Sequence, residues 1–220
     1  VGATPAAFFI ALDVSAGAQE GYTFNVRINS ASSFTPGNPS DTVALAGAPF
    51  TSNTLTIQTN NDATIYLANT APATMDQGSQ YQAAVATLSV TVGVTQLTRV
   101  KVNRTGVGAD SDATVSVYQD LTLDGGSLNA NEDLLLGSAP FSGGVATINI
   151  DTVTVSAGIN TVLFYAINVS SLANPGDTLG LGVTNADYFT LPSYTLSKTV
   201  IPLPFNTGTP EIKAVISRLT

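Results

Sequence analysis

Asp120, Thr122 and Asp124 stand at alternate positions with Gly125 just behind them, in the stretch Val117-Tyr-Gln-Asp-Leu-Thr-Leu-Asp-Gly-Gly-Ser-Leu-Asn-Ala-Asn-Glu-Asp-Leu-Leu-Leu136. Oxygen-bearing side chains at i, i+2 and i+4 followed by glycine make the front half of a calcium loop, in which ligands point inward and glycine permits the sharp turn. The back half departs from that spacing: a twelve-residue loop would put its bidentate acid at Asn131, and the acids here are Glu132 and Asp133. The stretch reads as an irregular calcium-type turn with Asp120, Thr122, Asp124, Glu132 and Asp133 as ligands. It reads equally as a solvated hairpin loop, because Asp, Asn and Gly favour turns for backbone reasons alone.

Little other chemistry is available. His and Cys are both absent, which excludes the common catalytic triads, cysteine nucleophiles, disulfides and cysteine zinc sites. A paired-carboxylate glycosidase needs two acids facing across a groove, yet Glu20 and Glu132 are the only Glu ahead of the tail and Trp is absent. The expectation is a protein that is not an enzyme. Gly125-Gly126 and Gly143-Gly144 precede no helical pattern, so neither is a phosphate cradle. Lys101, Lys198 and Lys213 are the lysines available for isopeptide cross-links to Asn or Asp, with no spacing that favours one. Two sequons occur, Asn103-Arg-Thr105 and Asn168-Val-Ser170. Asn103 is the better glycosylation candidate, because Asn168 adjoins an apolar, central-looking strand.

Composition sets the class. Of 220 residues 10% are charged and 44% hydrophobic, with a net charge of −8, so the chain can bury a core and is not disordered. An acidic surface with seven Lys and Arg disfavours nucleic acid and anionic membranes as partners. No apolar run approaches the roughly 18–20 residues that cross a bilayer. A start at Val1 rather than Met fits a mature secreted chain, placing it outside the cell or at the cell surface.

The elements that would position these residues are strands. Ala6–Val14 is an apolar run, read either as a buried first strand or as a strand that pairs into a neighbouring copy through Phe8, Phe9, Ile10, Leu12 and Val14. Tyr22–Asn29 alternates without fault. Ser30–Pro49 is a long polar loop. Leu55–Gln58 and Thr64–Leu67 suggest a hairpin. Strands follow from Ala84 to Val92, around Thr98–Val102, and over Ala113–Gln119, with Arg99, Lys101 and Arg104 as a basic strip. Beyond the acidic stretch come Val145–Ile150, Thr152–Ser156, Asn160–Val169, Leu179–Val183 and Glu211–Leu219. Ile201-Pro-Leu-Pro204 cannot lie within a central strand. These periods predict an all-β protein, a single β-sandwich of jelly-roll type over residues 16–220, preceded by the apolar strand of residues 1–15.

From Ala84 to Leu191, about half the chain, the order of features resembles the β-sandwich repeat of secreted prokaryotic surface proteins. The features are Val102-Asn-Arg-Thr-Gly106, Ala113–Asp120, Asp124-Gly-Gly, Glu132-Asp-Leu-Leu-Leu-Gly137, Val155-Ser-Ala-Gly158 and Asn174-Pro-Gly-Asp-Thr-Leu179. More loosely it resembles the jelly-roll subunits of extracellular fibres and tubes, such as cannula-forming and TasA-like proteins. That resemblance implies a self-assembling structural subunit of a filament or tube, built by exchange of a terminal strand and reinforced by calcium at Asp120, Asp124 and Asp133. The other expectation is a cell-surface binding module, an adhesin or glycan-recognition domain, which would need exposed rings at Tyr118, Tyr188 or Tyr194. A third is one repeat of a larger surface-layer protein.

Overall fold

Period-2 alternation of small or β-branched apolar residues with Thr, Ser and Asn runs through most of the chain, and nearly all of it becomes strand. The structure, a computed structural model, describes residues 9–15, 18, 19, 21–57, 61–122, 126–192 and 195–215. Two compact units are present, Val1–Thr59 and Asn60–Thr220.

The first unit carries four short strands, β1 (Thr23–Phe24), β2 (Arg27–Ile28), β3 (Phe50–Thr51) and β4 (Leu55–Thr56), paired antiparallel as β1 with β4 and β2 with β3. The alternation of Tyr22–Asn29 is realised, with Phe24, Val26 and Ile28 half-buried. It is split into two strands at Val26, whose N–H is taken by the Ser52 hydroxyl. None of the described residues of this unit is buried. Phe9–Ser15 forms no strand there, and Phe9 is 94% exposed, so the expectation of a buried first strand is overturned over the described part. Phe8 and the residues before it lie outside the described residues.

The second unit contains β5 (Asn61–Asn69), β6 (Thr74–Asp76), β7 (Gln80–Val90), β8 (Val94–Thr105), β9 (Ala113–Gln119), β10 (Leu134–Ser142), β11 (Val145–Ser156), β12 (Thr161–Val169), β13 (Gly180–Val183), β14 (Phe189–Thr190), β15 (Thr195–Ile201), β16 (Phe205–Asn206) and β17 (Glu211–Lys213). Eleven of them form one sheet in the order β15-β5-β7-β12-β9-β10-β11-β8-β13-β16, with β14 also on β8. β17 pairs parallel with β6 as a separate ribbon.

This sheet corrects the jelly-roll sandwich. A sandwich needs two separate sheets, whereas β10 belongs to both halves: Leu134–Pro140 pairs with β9, and Phe141–Ser142 continues onto β11. Gly137 makes the handover possible, since a Cβ there would lie 2.5 Å from the Asn149 carbonyl oxygen of β11. The two ends of the sheet, β15 and β16, are joined covalently by Pro202-Leu203-Pro204, so the sheet curls almost into a barrel and leaves one seam. β15 pairs parallel with β5, making the sheet mixed. The resemblance to jelly-roll repeats and fibre subunits loses its structural basis here. So does a donor-strand arrangement of the sandwich kind: the gap is a seam between two edges of one ring.

One further expectation falls with it. The hairpin of Leu55–Leu67 is not formed, because β4 pairs with β1 while β5 pairs with β7 and β15. β7 and β8, joined through Gly93, belong to different parts of the ring, β7 between β5 and β12 and β8 against β11. Of the last expected strand, only β17 forms, and residues 216–220 lie outside the described residues.

The interior is one cluster of inward residues, including Ile65, Ala84, Ala86, Leu97, Val100, Val117, Ile148, Leu163, Tyr165 and Phe189. The Tyr165 hydroxyl is fully buried and has no hydrogen-bond partner among the described residues. Burial without a partner pushes its phenol above the ordinary range. Tyr165 also lines an apolar cavity of about 10 Å³ with Leu67, Val102 and Phe205, too poor in polar groups to hold a bridging water.

An unpaired buried hydroxyl costs about 1–3 kcal/mol, so Tyr165→Phe should raise stability by up to that amount. Urea unfolding followed by circular dichroism is the check. A loss of stability would mean that the hydroxyl has a partner.

Candidate functional site

The seam is the feature of the main sheet that chemistry of the backbone leaves open. β15 pairs on one side only, with β5, and β16 only with β13. The connecting Pro202 and Pro204 have no N–H to donate, which is why this segment sits at an edge. Along β15, Lys198 and Val200 fall on the same face as their partners Ala63 and Ile65, all but Lys198 being buried. Thr199 and Ile201 fall on the outer face beside Thr64 and Tyr66. Ser197 donates to the Asp62 carboxylate at 2.6 Å, fixing the start of the strand.

Across the seam stands β14, whose other side pairs with β8 at Val100 and Arg99. The connection is a side chain: Lys198 Nζ donates to the Phe189 carbonyl at 2.8 Å and lies 3.3 Å from an Asp187 oxygen. Asp187 is 85% exposed, so that ion pair contributes little, and the carbonyl contact is the firmer one. The outer rim of the seam is apolar, with Tyr66, Ile201 and Leu203 all exposed. Lys198 was legible only as one lysine among three, and its role follows from the closure of the sheet.

The acidic stretch is placed on the outer face of the same sheet. Asp120 is only 2% exposed; one carboxylate oxygen accepts from the Thr122 N–H at 2.9 Å and the Thr122 hydroxyl at 3.0 Å. Asp133 accepts from the Asn129 N–H at 2.7 Å, and Glu132 is exposed with its N–H on the Asn129 carbonyl. Asp124 lies outside the described residues. Among the described residues no group of three acids converges on a point. Here Asp120 and Asp133 fasten backbone turns.

What the loop does bring is Leu128. Its N–H donates to the Gln82 side-chain oxygen at 2.6 Å, and its side chain packs with Val85 and Val162 over Tyr118, Phe164 and Ala166. This second apolar cluster on the outer face has no counterpart in the sequence reading, which takes Tyr118 as a candidate exposed ring and Asn160–Val169 as one apolar strand. Beside it a polar row crosses four strands. Gln80 donates to the Tyr118 hydroxyl and to Asn168, Asn168 donates to Ser116, and Ser116 meets Ser138.

The other candidates lie apart. Asn103 is near the C-terminal end of β8, paired on both sides. Its amide donates to the Thr184 hydroxyl and its oxygen accepts from Tyr188. Asn168 is engaged in the polar row. Within the basic strip, Arg99 donates to the Thr190 hydroxyl, and Arg104 is bonded to Asp110 and the Gly108 carbonyl. Of the rings proposed as a glycan platform, Tyr118 is 7% exposed, Tyr188 is half-buried and held by Asn103, and Tyr194 lies outside the described residues. In the first unit, Ile10 and Leu12 line an apolar trough of about 200 Å³ with Val26, Phe50 and Leu55.

Asp110 carries the clearest electrostatic signature. The Gly144 N–H and the Arg104 guanidinium donate to its carboxylate and hold it below the ordinary value of 3.8. No protein-family model matches the chain, and no curated protein matches it.

Two outcomes follow. Leu128→Ala, removing a half-buried side chain, should cost about 1–3 kcal/mol, toward the low end of large-to-small replacements, and increase binding of an apolar dye; unchanged stability would show that the loop does not cover Phe164. A depressed carboxyl stabilises the fold above its unfolded value of 3.8 and loses that contribution as pH falls through the lower folded value. Asp110→Asn should therefore flatten the loss of stability as pH falls below the unfolded value of 3.8, measured by urea midpoints over an acid pH series.

Proposed function

We propose that this chain is a structural subunit that associates with copies of itself through the open edge of its main sheet, building an extracellular filament or tube. The observation that carries the reading is the one-sided pairing of β15 and β16 in a sheet otherwise closed on itself. An unpaired edge offers a row of N–H and C=O groups to an extended segment of another chain, with backbone bonds for affinity and alternate side chains for register.

A second feature supports it. Phe9–Val14 is unpaired, and Phe9, Ile10, Leu12 and Val14 are all exposed. Contiguous exposed apolar surface marks a site of association, and a segment without its own backbone partners is a ready strand. Because edge and segment are different surfaces, each copy would use both. A head-to-tail contact that does not close gives an open polymer. The low charge, 10% of residues, keeps repulsion between packed copies small.

Sedimentation velocity over a concentration series, with electron microscopy of the heaviest fractions, tests this. The full chain should form regular polymers, and deletion of residues 1–15 should leave monomers with an unchanged circular dichroism spectrum. A full chain that stays monomeric at all concentrations would overturn the proposal.

A further inference from the structure

Resting on that reading, we propose that the occupant of the seam is Phe9–Val14 of a second copy, running antiparallel to β15 with Asp13 opposite Lys198, Ala11 opposite Val200, Leu12 opposite Thr199 and Ile10 opposite Ile201. Two observations fix this register. Lys198 is the one cation on β15, and its present acidic partner, Asp187, is a largely exposed residue that holds it weakly. Asp13 is the one acid in Phe9–Val14, is exposed, and makes no hydrogen bond or ion pair among the described residues. Pairing them replaces the Lys198 contacts that entry of a strand must break.

The remaining positions then agree in chemistry. Lys198 and Val200 share the inner face with buried Ala63 and Ile65, so Asp13 and Ala11 turn inward. Ala11 is small enough to meet Val200 beside a filled core. Ile10 and Leu12 turn outward, where Ile10 meets exposed Ile201 and Tyr66 and covers the apolar rim. The parallel alternative with Asp13 still opposite Lys198 would set Leu12 against Ser197 and Ile10 against Thr195, leaving Ile201 and Tyr66 uncovered. A shift by one residue would put Ile10 and Leu12 on the wrong face. Entry requires the Lys198–Phe189 contact to release and the seam to widen by about one strand spacing, ~4.8 Å.

The chain has no cysteine, so an introduced pair reports one contact. Ala11→Cys chains mixed with Val200→Cys chains and oxidised should give a disulfide-linked dimer. Ala11→Cys mixed with Thr199→Cys, whose side chain faces the other way, should give none. As an independent reading, Asp13→Lys or Lys198→Asp alone should abolish polymer, and the two in one chain should restore it. Polymer without the Ala11–Val200 cross-link, or with no rescue by the charge exchange, overturns this register and leaves assembly at the seam standing. A wild-type chain that remains monomeric overturns both.

Discussion

The structure turns on the hydrogen-bonding demand of a strand edge. Every strand inside a sheet satisfies its backbone on both sides, and a ring satisfies all of them. This sheet goes most of the way round: from β5 through β12 and β10 to β13 each strand has two neighbours, and the ends β15 and β16 and the short β14 are paired on one side only. Pro202-Leu203-Pro204 then joins those ends without pairing them. Because the proline nitrogens cannot donate, the connection holds the ends together while leaving the seam without a ladder. Lys198 closes it with one ammonium-to-carbonyl contact to Phe189, a side-chain substitute for a row of backbone bonds. Such a contact is directional and local, which makes the seam the weakest line in an otherwise continuous sheet.

The two units sit at opposite limits of burial. The second fills its interior with small and branched residues, so many Ala line β7 that the walls approach closely, and Gly180 would clash with the Gly208 carbonyl at 1.9 Å if it carried a Cβ. The first has two-residue strands and no buried residue among those described. Two-stranded ribbons are marginal in water, because one face of each remains wet unless something covers it. The apolar residues of that unit, Phe9, Ile10, Leu12, Phe50 and Leu55 among them, therefore carry a standing cost of hydration that association would remove. An open edge and an uncovered apolar segment are complementary deficits in one chain.

Much of the local order was legible. Alternation in Ala84–Val92, the strand pattern of Ala113–Gln119 and the apolar run of Asn160–Val169 located β7, β9 and β12, and the Pro-Leu-Pro segment was excluded from a central strand. The architecture was not, because a sandwich and a curled single sheet bury the same alternate residues. The difference resides in one strand, β10, which changes partner at Phe141, and in Gly137, whose missing Cβ lets β11 approach. Neither has a signature in periodicity. The acidic stretch stays open between two readings for a related reason. Asp120 and Asp133 do have the chemistry of ligands, but carboxylates satisfy backbone N–H groups by the same lone pairs, and spacing does not reveal which demand is met. Leu128, an unremarked residue in a polar stretch, turned out to anchor that loop.

These features bear on one another through the seam. A fully closed barrel has no edge to offer, and a fully open sheet would pair with anything extended. An edge guarded by one lysine lies between: an uncharged segment could supply backbone bonds yet would leave the Lys198 ammonium without its carbonyl, a desolvation cost that opposes entry. A segment with a carboxylate at the matching position removes that cost. Selectivity at such an edge thus arises from the penalty for leaving a half-buried cation unpaired more than from attraction in the pair itself. In a chain with seven basic residues in all, the position of one of them on β15, a strand paired on one side only, is what gives that edge a preference.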